Sequence, residues 1–259
     1  MKAKKSLGQN FLSDPAILGR IVDASGAGPQ DTVLEIGPGP GALSEALCAR
    51  VGRVVAVELD RRMCEHLRVT MALRPNFELH EADIMKFDIR SAIDSEFRVV
   101  SNIPYNITTP IIFRLIELRE RLLSMTLTVQ KEVAERIAAK PGGADYGALS
   151  VMVQYFGEPK IALRIPRGAF RPVPGVDSAC LHVRMRDERR AGGAVPRLLR
   201  DVVREAFNHR RKTLRNSLIK MYPTIDAAFA SLGIDPARRP QTLSVDEFAA
   251  LAVALEDIV

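Results

Sequence analysis

From about residue 31 onward, short apolar runs rich in β-branched residues alternate with segments whose apolar positions return every three or four residues. "TVLEIG" is followed by "ALSEALCARV", "RVVAVELD" by "RMCEHLRVTMAL", and "NFELHEADI", "EFRVVSNIP" and "MTLTVQ" extend the rhythm, with "PIIFRLIELRERL" and "KEVAERIAAK" as helical partners. Short buried runs separated by amphipathic segments predict a mostly parallel sheet with crossover helices. The rhythm changes in "KIALRIPRGAFRPVPGVDSACLHVRMR", where two β-rich arms flank a Pro-rich bend. That pattern predicts an antiparallel hairpin at the end of the sheet. "RDERRAGGAVP", residues 186–196, is charged, then Gly-rich, then closed by Pro, so a domain boundary is expected at 186/187. Beyond it, "PRLLRDVVREAFNHRRKTLRNSLIKMY", "IDAAFASLG" and "SVDEFAALAVALEDI" read as helices of a small all-α domain, residues 187–259.

A chain of 259 residues is long enough for one sizeable core and a small appendage. A net charge of +6 favours a polyanionic partner, nucleic acid first. Cys48, Cys64 and Cys180 are far apart in sequence and form no metal-ligand pattern with the four histidines, which suits reduced thiols in a cytoplasmic protein without a structural metal. No stretch reaches the roughly 18 apolar residues of a membrane span, and the basic start "MKAKKSLGQNFL" lacks the apolar run of a signal peptide.

The candidate chemistry begins in "VLEIGPGPGALSEAL". Gly37, Gly39 and Gly41 lie between the first strand of the rhythm and its helix, where absent side chains let backbone amides and a helix N-terminus approach a ligand. Glu58 ends the next strand, placed to accept both ribose hydroxyls. Gly37, Gly39 and Ala42 also satisfy a dinucleotide fingerprint, but Pro38 and Pro40 remove amide donors that a pyrophosphate would use. Asp83 follows the third strand, where it can accept from an adenine amino group or cap the following turn. Taken in series, Glu35, the three glycines, Glu58 and Asp83 resemble the S-adenosylmethionine site of class I, Rossmann-like methyltransferases.

"NIPY", residues 102–105, ends the fourth strand and would face such a cofactor across the top of the sheet. An exocyclic base amine is a poor nucleophile because its lone pair is delocalised into the ring. It must be held with both hydrogens engaged and the lone pair turned toward the methyl group. The side-chain oxygen of Asn102 and the main-chain oxygen of Pro104 or its neighbour can supply the two acceptors, and Tyr105 a stacking face for an extruded base. The tetrapeptide resembles the strand-end motif of methyltransferases that act on amino nitrogens; by itself it is also an ordinary turn.

Further segments sharpen the resemblance. "KKSLGQNFLSDPAIL", "LEIGPGPGALS", "NIPYNITTPII", "VQKEVAERI", "YGALSVMVQYF", "FRPVPGVDSA" and "FNHRRKTLRNSL" together resemble, in order and over nearly the whole chain, the bacterial ribosomal RNA small-subunit adenine dimethyltransferases. The resemblance implies that Asn10 and Leu12 close over the cofactor, that Gly37, Glu58, Asp83 and Asn102 line its site, and that Phe170 gives the second face of a base clamp opposite Tyr105. Read without the resemblance, Phe170 is equally a core aromatic of the hairpin. It further implies S-adenosyl-L-methionine as cofactor and, as substrate, two adjacent adenosines near the 3′ end of 16S rRNA within the small ribosomal subunit; a monomer is expected because the sequence shows no apolar surface beyond a single core. The chain departs from the family at Ile103, where Leu is commoner, and at Gly175, where Lys is. The related 23S rRNA dimethyltransferases share "NIPY" and remain an alternative, as does a ribosome-assembly factor with secondary catalysis.

Residues 197–220 are strongly basic. Arg204, Arg211 and Arg215 recur at helical spacing, and with Arg210 and Lys212 they predict a basic stripe along one helix that follows a phosphate backbone, with Phe207, Leu214 and Leu218 turned inward. The same pattern also describes a solvated helix face.

Overall fold

A computed structural model of the chain describes residues 8–187, 196–209 and 211–256. Its contacts divide the chain into two compact units, 1–134 with 158–190 and 135–157 with 191–259. The expected boundary at 186/187 and this division differ over residues 135–157, which group with the tail.

The first unit is built on a seven-stranded sheet of order β4-β3-β2-β5-β6-β9-β7. Its elements are β1 (Phe11–Leu12), α1 (Pro15–Ser25), β2 (Thr32–Ile36), α2 (Ala42–Cys48), β3 (Arg53–Glu58), α3 (Arg61–Thr70), β4 (Phe77–Glu81), α4 (Ile89–Ala92), β5 (Phe97–Asn102), α5 (Thr108–Ile116), β6 (Leu122–Gln130), β7 (Gly157–Ile165), β8 (Phe170–Arg171) and β9 (Ser178–Met185). Helix α6 (Lys131–Ala138) follows β6. Strands β2 to β6 pair in parallel, and β9 runs antiparallel to β6 with Thr128 opposite Cys180. Val33, Leu34, Val54, Val55, Val99 and Val100 are fully buried, as expected of parallel strands covered on both faces. The central strands β2, β3 and β5 therefore carry apolar runs in the sequence, whereas β4, at the edge, reads FELHE and is only partly buried.

The strand order reverses between β2 and β5, the place where an open sheet of this kind leaves a crevice at the carboxyl ends of its strands. Here β2 and β5 keep register only as far as Leu34 and Val99. Beyond that the Ile36 N–H donates to the buried Ser101 Oγ at 2.6 Å, so a side-chain hydroxyl satisfies the backbone where the strands part. A second, two-stranded sheet pairs β1 with β8, Phe11 opposite Arg171 and Leu12 opposite Phe170. Immediately after β1, Asp14 caps α1 by accepting from Ala16 N–H and Ile17 N–H at 2.9 and 3.2 Å, and Pro15 occupies the first turn.

The second unit is helical: α7 (Ala148–Phe156), α8 (Leu199–Asn208), α9 (Leu214–Leu218), α10 (Ile225–Leu232) and α11 (Val245–Glu256). Its core joins Leu199, Val202, Val203, Leu214, Leu218, Phe248 and Leu251, with the Phe207 ring lying between Tyr146 and Phe248 at 6.1 and 5.7 Å between centroids. The continuous basic helix expected over 197–220 is two helices. Thr213 caps the second by accepting from Asn216 N–H, while Leu214 N–H and Arg215 N–H donate to the carbonyls of Arg238 and Pro236. Long-range backbone bonds thus satisfy the first amides of the second helix, those of Leu214 and Arg215.

Candidate functional site

A cavity of about 270 Å³ opens at the carboxyl ends of β2, β3, β4 and β5. Among the residues expected from sequence, Asn10, Leu12, Gly37, Gly39, Glu58, Asp83, Asn102, Pro104 and Tyr105 line it. Gly41 and Phe170 do not.

The glycine turn is shaped around its neighbours. Gly37 N–H donates to Val57 O at 2.9 Å, locking the turn to β3. Gly39 sits at φ +57°, and a Cβ there would lie 2.9 Å from a ring carbon of Phe11. Phe11 therefore rests directly on the turn, and only glycine leaves it room. Gly41 caps α2 at φ +94°, and its added Cβ would strike Leu67 at 2.8 Å, so helix packing rather than a ligand requires this glycine.

Glu58 is 5% exposed and is fixed from both sides: Oε2 accepts from Gly39 N–H at 3.0 Å and Oε1 from Asp60 N–H at 2.7 Å. Each oxygen keeps a further lone pair for a hydroxyl donor. Burial pushes the carboxyl above its usual range, and the backbone donors at Asp60 and Gly39 pull it part of the way back. Glu35 carries the larger strain. It is fully buried, its pKa is pushed up to about 8 by desolvation, with Ser44 lowering it and the charge of Glu58 adding to the rise, and neither its Oε2 nor the Ser44 hydroxyl reaches a partner at hydrogen-bonding geometry. An unpaired carboxyl in the wall of a cavity calls for a cationic or donor ligand. Asp83 combines both of its sequence readings. Oδ1 takes the N–H of Met85 at 2.9 Å, which shapes the turn after β4, while the residue still faces the cavity.

Residues 8–12 form a strap over this crevice. Gln9 Nε2 donates to Asp60 Oδ2 at 3.3 Å, Phe11 covers Gly39, and Leu12 pairs with Phe170. The decisive contact is Asn102 Nδ2 donating to the Asn10 carbonyl at 2.8 Å. A carbonyl can only accept, so the amide nitrogen must face it, and Oδ1 becomes the acceptor left for a ligand. Pro104 O already accepts from Ile107 N–H at 3.3 Å and from Thr108 Oγ1 at 3.4 Å in the turn that starts α5. Its neighbour Ile103 also lines the cavity and offers another main-chain carbonyl. Tyr105 OH and Ser178 Oγ lie 2.6 Å apart, fixing the ring, and burial raises the phenol above its usual range.

Phe170 is fully buried in the apolar cluster with Leu12, Leu18 and Ile165. In this conformation it is a core aromatic supporting the strap, and the expected second face of a base clamp is not at the cavity wall. Ser101, Ser178, Gln9 and Phe11 escaped sequence reasoning. "QNFL" next to a capped helix was the one local signal for the last two; the serines acquire their roles only from strands distant in sequence.

Among the expected RNA contacts, Arg204 pairs with Asp201 at 2.8 Å and Arg215 grips Asp226 through two bonds of 2.7 Å. Arg211 and Lys212 are exposed. Arg210 lies outside the described residues. Among the described residues no group of three or more His, Cys, Asp or Glu side chains could hold a metal ion, and no helix is long and apolar enough to cross a membrane.

The model of the family described as ribosomal RNA adenine dimethylase matches residues 1–257. The chain is 44% identical to ribosomal RNA small subunit methyltransferase A of Shouchella clausii, covering 97% of this chain and 89% of that protein. It is 43% identical to the protein of the same name from Pseudomonas aeruginosa, with 99% and 96% covered. Among solved structures, a dimethyladenosine transferase from Plasmodium falciparum superposes with a TM-score of 0.85 at 25% identity over 95% of this chain and 98% of that one. The 23S rRNA methyltransferase ErmE superposes at 0.74 and 29% identity over 95% and 100%.

Proposed function

The chain belongs to the ribosomal RNA adenine dimethylase family, S-adenosylmethionine-dependent methyltransferases, and from that premise we propose that the cavity methylates the N6 amines of two adjacent adenosines near the 3′ end of 16S rRNA in the assembling small subunit. The observation that carries the reading is the Asn102 amide at the cavity, whose nitrogen is taken by the Asn10 carbonyl so that its oxygen is the acceptor left for a ligand.

The residues present suit the cofactor. Glu58, already oriented by Gly39 and Asp60, would take the ribose hydroxyls. Asp83 would accept from the adenine amine, and Glu35, with its unpaired oxygen, would meet the cationic amino acid end. S-adenosylmethionine supplies an electrophilic methyl group on a sulfonium, which no side chain here can replace.

The protein's own part is to hold the nucleophile. Asn102 Oδ1 and the Ile103 carbonyl accept the two N–H groups of the target amine, which fixes the ring plane and points the lone pair into the cavity. Tyr105, held by Ser178, stacks against the base. The amine proton becomes acidic as the new N–C bond forms, so an acceptor and solvent suffice and no strong base is required. A monomethylated amine retains one N–H, and one acceptor then orients the second transfer. In the helical unit, Arg211 and Lys212 supply phosphate contacts, with Arg204, Arg210 and Arg215 adding to the positive field. A monomer acting in the cytoplasm, with residues 187–259 serving RNA binding, completes the proposal.

Radiolabelled methyl transfer to purified, unmethylated small and large subunits, followed by nucleoside analysis, tests it. Label recovered as N6,N6-dimethyladenosine from the small subunit is the expected result. Label confined to the large subunit assigns the chain to the 23S branch, and small-subunit binding without label makes it an assembly factor.

A further inference from the structure

Residues 8–12 touch both halves of the cavity. Phe11 rests on Gly39 and Gln9 Nε2 donates to Asp60, while the Asn10 carbonyl takes Nδ2 of Asn102 and Gly8 packs against Asn106 and Pro104. A cofactor beneath this strap enters and leaves only when the strap lifts, and lifting it removes the acceptor that sets the Asn102 amide. Without a second acceptor the amide is then free to turn.

A second acceptor stands on the neighbouring strand. Thr128 of β6 is the Cα partner of Asn102 in the parallel ladder, and such partners project from the same face, here the face of Val100 and Cys180. Thr128 is fully buried, and among the described residues its Oγ1 has no hydrogen-bond partner. The other two hydroxyls of that row on β6 are used: Ser124 Oγ accepts from Arg98 Nη1 at 3.2 Å, and Thr126 Oγ1 lies 2.9 Å from His182 Nδ1. Cys180, opposite Thr128 on β9, gives it no bond. A buried hydroxyl without a partner costs stability that a valine of the same shape would not. Adjacent strands are about 4.8 Å apart, so a turn of the Asn102 side chain reaches this hydroxyl without backbone movement.

We propose that Thr128 is a positioning residue for Asn102: as the strap lifts, Thr128 Oγ1 accepts Asn102 Nδ2–H in place of the Asn10 carbonyl, and the amide oxygen stays the acceptor left for a ligand while cofactor and product exchange. The bond stabilises the open strap and so speeds product release. This rests on the cavity as the cofactor site, and its value for catalysis rests on the reading of the Asn102 oxygen as an acceptor for the target amine.

The test is release of S-adenosylhomocysteine from the full-length protein, followed by stopped-flow displacement with excess S-adenosylmethionine. Thr128→Val matches the side chain in shape but cannot accept, and should slow release by between about threefold and tenfold, the scale of one neutral hydrogen bond lost from the open state. Thr128→Ala should slow it likewise, so a fault in packing the valine does not decide the outcome. Thr128→Ser keeps the acceptor and should release at the wild-type rate. In an Asn102→Ala background Thr128→Val should have no further effect, since the two residues act through one bond. Thr126→Val loses the contact to His182 on the same sheet face, yet should leave release unchanged. Wild-type or faster release from Thr128→Val overturns the proposal. Equal slowing in the Asn102→Ala background or in Thr126→Val also overturns it, because the effect then comes from packing of the sheet. None of these measurements uses RNA. Failure of methyl transfer to unmethylated small subunits removes the adenine reading and leaves the release rates standing, whereas normal transfer with unchanged release removes the role of Thr128 alone.

Discussion

At the cavity rim, polar groups are bound to parts of the chain far away in sequence: Asn102 to Asn10, Glu58 to Gly39, Ile36 to Ser101. In the helical unit two of the expected RNA-binding arginines make exposed pairs, Arg204 with Asp201 one turn away and Arg215 with Asp226. The difference suits the roles proposed for the two regions. Orienting a weak nucleophile needs atoms fixed to fractions of an ångström, which only a web of buried bonds provides. Attracting a phosphate backbone needs charge near a surface, and exposed side chains that exchange partners supply it.

If that contrast is right, disturbing the rim should cost far more than disturbing the arginines. The largest effect belongs to Glu35. Its folded pKa of about 8 lies above the ordinary 4.5, so the native state binds the proton more tightly than the unfolded chain. Stability of the cofactor-free protein is therefore greatest below about pH 4.5, as far as this group is concerned, and falls as pH rises to about 8, by up to about 5 kcal/mol. Denaturant titrations from pH 5 to 9 should show this slope in wild type and its loss in Glu35→Gln; equal slopes would mean the carboxyl is not buried as described.

Next, Asn102→Ala should lower the rate of both methyl transfers by about 100-fold to 1000-fold, the scale for removing one oriented hydrogen-bonding group at a reacting centre. Single-turnover assays separate the two steps, and a wild-type rate in either would refute the role given to Asn102. Gly39→Ala should displace Phe11 and weaken cofactor binding about tenfold or more, measured by calorimetry, with a smaller penalty in a Phe11→Ala background where the clash is gone. An equal penalty in both backgrounds would show that the strap does not rest on the turn.

Ser178→Ala and Tyr105→Phe each remove the same hydrogen bond and should each cost about 1 kcal/mol in kcat/KM for the subunit, with the double variant no worse than either single one. Additive losses would mean the hydroxyls act separately. Smallest of all, Asp226→Asn should change stability by less than about 1 kcal/mol, because the Arg215 pair is exposed. A larger loss would place that pair in the same class as the rim and erase the contrast.

The same division governs what could be read from the sequence. The strand and helix alternation, the glycine turn, Glu58 and "NIPY" were legible because each is a contiguous pattern whose meaning comes from local periodicity or from the end of a strand. Phe170 was assigned a face of the base clamp because "FRPVP" says nothing of Leu12, the partner that buries it. Gly41 was grouped with its neighbours although Leu67 is what requires it. The break between Asn208 and Leu214 had a visible signal in Thr213, a good helix cap, but the carbonyls of Arg238 and Pro236 that make the break favourable lie more than twenty positions away. Residues 135–157 passed without assignment to the tail because grouping is a property of packing and not of composition.

The bond from Asn102 to Asn10 spans 92 positions, and the partner of Leu12 comes later still. During synthesis the strap leaves the exit tunnel first and its docking sites last. A nascent chain that stops short of β8 can have its glycine turn and its strand-end asparagine in place yet lack Phe170 and Arg171, the strand that pairs with the strap. Under the proposed function, competence for chemistry therefore waits for β8, and a product truncated before it is expected to be silent on RNA instead of partly active.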